Sequence, residues 1–140
     1  MKLLNILFCL LLLILWTSCK VSTPAEEKSN LYQVGGCQGN AFLKPNVVDT
    51  CFIYKFRENL ILDFCVNGNC CPDSNRFDLR SNLTDDLITI TVADTAANLC
   101  RCFCKYKIHA EFDGLSRSRY QVKCYLGDEL LYDQWVEGED

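Results

Sequence analysis

The sequence predicts an all-β domain, a disulfide-braced antiparallel β-sandwich, with an immunoglobulin-like arrangement or a small barrel as variants. Three observations carry this expectation. Short runs rich in β-branched and aromatic residues recur with turn signals every ten residues or so. No window of a dozen residues has a helical period. Cysteine accounts for 11 of the 140 residues, close to the density of an exported disulfide scaffold. The length admits one compact domain, and a formal net charge of -4 argues against nucleic acid as a partner, because phosphate recognition calls for a basic excess.

Taken in order, residues 1–18 read as a signal peptide. Lys2 supplies a basic start, and the apolar run from Leu3 to Trp16 suits a signal h-region and is short for a membrane span of about 20 residues. Its end, Trp16-Thr17-Ser18-Cys19, resembles the lipobox of bacterial lipoproteins, although Trp16 stands where that motif usually has Leu or Val. The resemblance implies that Cys19 is acylated and that the chain joins a membrane through a lipid anchor in the bacterial cell envelope, on a periplasmic or outer-membrane surface. Residues 19–30 are polar, carry a proline and lack an apolar period, so they read as the lipidated cysteine and a flexible tether. Residues 31–140 form the single β-domain.

Within that domain the expected strands are residues 47–56, 59–66, 86–92, 118–126 and 130–136, each rich in strand formers or alternating in polarity. Residues 94–99 have room for one helical turn. Asn67-Gly68 is a two-residue hairpin signal, since a type I′ turn requires positive φ at both positions. Such a turn sets Cys65 opposite Cys70 at a Cα separation of about 4.5 Å, short enough for a bridge. Cys71 then faces the core, with Cys100, Cys102 or Cys104 as its partner. Cys37, Cys51 and Cys124 are drawn into other pairs. Once Cys9 leaves with the signal and Cys19 is acylated, nine cysteines remain, so one stays free, pairs between molecules or binds something.

The strongest period lies in residues 99–112. Cys100, Cys102, Cys104, Tyr106, Ile108, Ala110 and Phe112 share one face, and Arg101, Phe103, Lys105, Lys107, His109 and Glu111 the other. Thiolates two apart on a strand are separated by about 6.5–7 Å and cannot share one zinc. His109, the only histidine, lies on the opposite face. No metal site and no cofactor are therefore expected, and a Cu(I) or zinc site would need cysteines donated from several strands.

Most catalytic signatures are missing from the sequence, and a hydrolase using turn carboxylates is the least favoured reading. One outward histidine provides no evident base for a nucleophile, and there is no Cys-x-x-Cys, phosphate loop or His-Glu-x-x-His motif. Residues 128–140 are acidic, whereas Arg101, Lys105, Lys107, Arg117, Arg119 and Lys123 concentrate on what reads as the preceding hairpin, so cross-strand pairing is expected. A sharper reading makes Arg101, Phe103, Lys105, Lys107 and His109 a ligand patch for an anionic glycan or an envelope protein.

Residues 69–77 (NCCPDSNRF) and 94–115 (DTAANLCRCFCKYKIHAEFDGL) resemble a set of small cysteine-rich bacterial lipoproteins of the Bacteroidetes type, which share Cys-Cys-Pro and Cys-x-Cys-x-Cys elements. The resemblance implies a small exported β-domain and carries no activity. Asp94-Thr95-Ala96 resembles the acceptor for O-glycosylation in the same bacteria, which makes Thr95 a candidate. The expected function is a non-enzymatic binding or structural role, with cysteine-based metal handling or thiol redox chemistry as the alternative.

Overall fold

The computed structural model describes residues 28–37, 51–71, 75–96, 100 and 102–139. It is all-β. The strands are β1 (Lys28–Val34), β2 (Ile53–Phe56), β3 (Leu60–Asn69), β4 (Phe77–Thr84), β5 (Leu87–Asp94), β6 (Phe103–Asp113), β7 (Arg119–Leu126) and β8 (Glu129–Glu137). They form two four-stranded sheets, ordered β1-β6-β3-β2 and β4-β5-β7-β8.

Alternation drives the packing. From Cys104 onward β6 is buried at every second residue, as its polarity pattern predicts, and β5 and β7 alternate in the same way. Leu60, Leu62, Phe64 and Val66 of β3 meet Ile88, Ile90, Val92, Tyr120, Val122 and Val136 of the facing sheet in one core. Residues i and i+2 of a strand share a face, so each strand contributes a row of apolar side chains to the interior and leaves the alternate row outside.

Several expectations need correcting. Lys28, Ser29 and Asn30, assigned to the tether, pair with Asp113, Phe112 and Glu111 as the start of β1. The sheets are antiparallel except where β5 runs parallel to β7. That pairing follows from the path, because the chain leaves the second sheet after β5, descends through β6 in the first and returns in the original direction. For the same reason β6 and β7 are not a hairpin. The long cysteine strand is the longest in the fold but starts at Phe103 rather than Cys100, leaving Cys100 exposed and Cys102 half-buried. Of the helical turn read at residues 94–99, Asp94 ends β5 and residues 97–99 lie outside the described residues, as do residues 47–50 of the first predicted strand.

Asn67-Gly68 is not a turn. β3 continues through it, with Asn67 opposite Lys105 and Gly68 opposite Cys104. The glycine answers a different need: a Cβ there would lie 3.3 Å from Phe77 Cζ and 3.4 Å from Tyr106 Cε2. Two aromatic rings thus press onto the strand where a side chain would stand. The true two-residue turns are Asp85-Asp86 and Gly127-Asp128, whose leading residues have φ of 58°.

Candidate functional site

The outer face of the first sheet carries an ordered row. Register sets Tyr32 of β1 beside His109 of β6, His109 beside Asp63 of β3, and Asp63 beside Ile53 of β2. Asp63 is the hub: its Oδ1 lies 2.8 Å from His109 Nδ1, and its Oδ2 lies 2.7 Å from Lys107 Nζ. Partial burial opposes a charge on Asp63, but the hydrogen bonds and charges of Lys107 and His109 outweigh it and hold the carboxyl below its ordinary value. The Tyr32 ring packs on the imidazole with centroids 4.8 Å apart.

This row is accessible at both ends, with Tyr32 46% and Ile53 58% exposed. Beside Asp63 a shallow depression of about 160 Å³ is lined by Ile53, Tyr54, Lys55 and Ile61. The face therefore offers an aromatic ring, an apolar shelf, a fixed carboxylate and the exposed Lys55. It does not assemble a nucleophile: among the described residues no serine, threonine or cysteine side chain is hydrogen-bonded to His109.

The ligand patch read from the sequence is rearranged. Arg101 lies outside the described residues. Phe103 is 62% exposed and Lys105 half-buried, while Lys107 and His109 both turn to Asp63. The cations of β7 are on the other sheet from β6. Arg119 and Lys123 pair across to Glu137 at 3.2 Å and Asp133 at 3.6 Å, the cross-strand pairing expected of the acidic C-terminal strand. The Arg119 guanidinium also lies 4.3 Å from the centre of the Trp135 ring.

Among the described residues four bridges join the cysteines: Cys37–Cys104, Cys51–Cys65, Cys70–Cys102 and Cys71–Cys100. The last meets the expectation for Cys71. The expected Cys65–Cys70 bridge is not formed, because the continuing strand puts Cys65 and Cys70 at different heights along β6 instead of opposite each other. Cys65 is covered by Cys51, and Cys70 reaches Cys102. Cys124 is the odd cysteine. It is buried and free, and desolvation pushes its thiol up to about 12, which suppresses the reactive thiolate.

The bridged ends are held by polar groups as well. Asn69 Oδ1 accepts from the amides of Cys71 at 3.1 Å and Cys100 at 2.8 Å, and Asn69 Nδ2 donates to the Cys100 carbonyl. Arg76, whose side chain is fully buried, forms a two-pronged ion pair with Asp94. It also donates to the Asn69 carbonyl and to Tyr106 Oη, and its guanidinium lies 5.2 and 5.3 Å from the Tyr106 and Phe77 ring centres. Thr95 is exposed, with its hydroxyl donating to the Arg76 carbonyl at 2.7 Å. Cys19 lies outside the described residues.

Tyr32, Asp63 and Arg76 were not singled out by sequence reasoning. Asp63 carried one signal, a carboxylate at an outward position within an apolar strand. Tyr32 and Arg76 gain their partners only through the fold. Comparison of the chain with protein-family models, with curated proteins and with solved structures returned no match.

Proposed function

We propose that this chain is a lipid-anchored, non-enzymatic binding module of the bacterial cell envelope, which takes an anionic glycan on the outer face of the β1-β6-β3-β2 sheet. The observation that carries the reading is the row Tyr32–His109–Asp63 beside a depression bearing Lys55. An exposed ring on a rigid sheet receives the apolar face of a sugar, fixed polar groups bond its hydroxyls, and Lys55 faces an acidic substituent. Lys107 and His109 set the carboxylate in place rather than meeting the anion directly, which modifies the role that the sequence assigned them. Four disulfides favour an oxidising compartment, and the lipobox-like Cys19 supplies the anchor.

The test is retention on anionic envelope polysaccharide. Tyr32→Ala and Lys55→Glu should each weaken retention about tenfold, the loss of one stacking or charge contact, with the circular dichroism of the sandwich unchanged. Unchanged retention in both variants refutes the site. For the anchor, Cys19→Ala should move the protein from the membrane pellet to the soluble fraction, and a variant that stays in the pellet refutes lipidation.

A further inference from the structure

We infer that the adjacent bridges Cys70–Cys102 and Cys71–Cys100 form a redox-gated site for one thiophilic cation, ligated by Cys70, Cys71 and Cys102 once a dithiol has opened both bridges. This goes beyond the glycan reading and uses a different part of the molecule. The Sγ atoms of Cys70, Cys71 and Cys102 all lie within 4.8 Å of one another. Thiolates around a zinc ion, with Zn–S bonds of about 2.3 Å, stand about 3.8 Å apart, so the sulfurs of Cys70 and Cys102, bonded to each other while the bridge is closed, separate to that spacing once it opens, and Cys71 has at most about 1 Å to close. The geometric objection to a cysteine ladder on a single strand does not apply, because two opposed segments supply the ligands.

The scaffold of the site does not depend on its sulfur–sulfur bonds. Asn69 bonds the backbone of both Cys71 and Cys100, the Cys70 amide donates to the Cys102 carbonyl at 3.3 Å, and Asn69 pairs with Phe103 at the end of the β3·β6 ladder. Opening the bridges leaves the thiols facing each other. Access favours this pair too: Cys100 is exposed and Cys70, Cys71 and Cys102 are half-buried, whereas the exposed Cys37 and the half-buried Cys51 are each bonded to a buried partner, Cys104 or Cys65.

The chemistry balances as two exchanges and one binding step. Each dithiol gives two electrons and two protons to one bridge and leaves as a cyclic disulfide, so two dithiols convert the two bridges into four thiols. The cation displaces three protons, from Cys70, Cys71 and Cys102, and Cys100 keeps its own. Soft thiolate donors select Cu(I) or Zn(II) over hard cations.

The experiment reduces the full chain with limiting dithiothreitol without oxygen, maps the opened cysteines by alkylation and mass spectrometry, and titrates Zn(II) and Cu(I) separately against a chromophoric chelator. Cys70, Cys71, Cys100 and Cys102 should open first, and the reduced chain should bind one equivalent of at least one of the two cations while the oxidised chain binds neither. Bound cation should protect Cys70, Cys71 and Cys102 from alkylation and leave Cys100 reactive. Cys102→Ser should weaken binding at least about tenfold. Continued protection of the buried Cys124 thiol reports that the sandwich is intact, and if a variant loses it, the alkylation footprint of the unsubstituted chain decides. Earlier opening of another bridge, a fully reduced cluster that binds neither cation, or a footprint elsewhere overturns the proposal.

Discussion

Replacing Asp94 with Asn should destabilise the domain far more than its position at the end of β5 suggests. The side chain of Arg76 is 0% exposed and that of Asp94 31% exposed, so the substitution takes the charge of Asp94 away from a buried guanidinium. Breaking a buried pair from one side costs about 3–5 kcal/mol. The lower end applies here, because Asn keeps an oxygen for the Ala96 amide that Asp94 Oδ1 now accepts at 3.0 Å. A loss of about 3 kcal/mol lowers Tm by about 12 °C in a domain of this size. Arg76→Met removes the charge itself. Asp94 then turns to water, Tyr106 Oη still bonds the Asn69 carbonyl at 2.7 Å, and the loss is about 1–2 kcal/mol of ring and hydrogen-bond contacts. In the Arg76→Met background, Asp94→Asn should change stability by less than about 0.5 kcal/mol. Guanidinium unfolding without reductant, run on all four combinations, measures this cycle. A loss of about 3 kcal/mol from Asp94→Asn in both backgrounds refutes the charge argument.

Two further outcomes follow from the geometry. Gly68→Ala must displace ring atoms that stand 3.3 and 3.4 Å from the new Cβ; it should cost about 1 kcal/mol and Gly68→Val about 2–3 kcal/mol, and a midpoint that rises for Ala refutes the close-approach reading. Asp63 has a native pKa below its ordinary 3.8, so its contribution is complete above that value and is lost as the pH falls below it toward the lowered native one. Asp63→Asn should flatten that part of the acid limb in pH-dependent unfolding, and an unchanged limb removes Asp63 from the account.

Much of the fold was legible because the alternating strands bury whole rows. The interior face of β6 could be written down from residues 104–112 alone, and β5 and β7 behave likewise. β4 was overlooked although Phe77, Leu79 and Leu83 alternate with polar residues, since Ser81 interrupts the apolar row. β1 has no fully buried inward residue and exists because β6 offers it an edge, a tertiary cause that no local pattern records. Asn67-Gly68 misled for a related reason: glycine permits a turn, but here it admits two rings. The candidate site was less visible still. His109 and Lys107 were read as outward residues, yet their common partner Asp63 stands 46 residues from His109 in sequence, and only the β3·β6 register brings them together.

None of these four bridges crosses another, and three of them are nested. Cys37–Cys104, 67 residues apart, encloses the rest, and Cys70–Cys102, 32 apart, encloses Cys71–Cys100, 29 apart. Their restraints on the unfolded chain therefore do not add. With the inner bridge shut, the outer one of the twin pair closes a ring of only a few residues and restricts the chain by about 2 kcal/mol, against about 4 kcal/mol if it acted alone. The same holds with the outer bridge shut, so the twins are redundant and either one retains most of the restraint. A reductant meets a staged latch: the first electron pair releases little of the loop, and the second releases it whole.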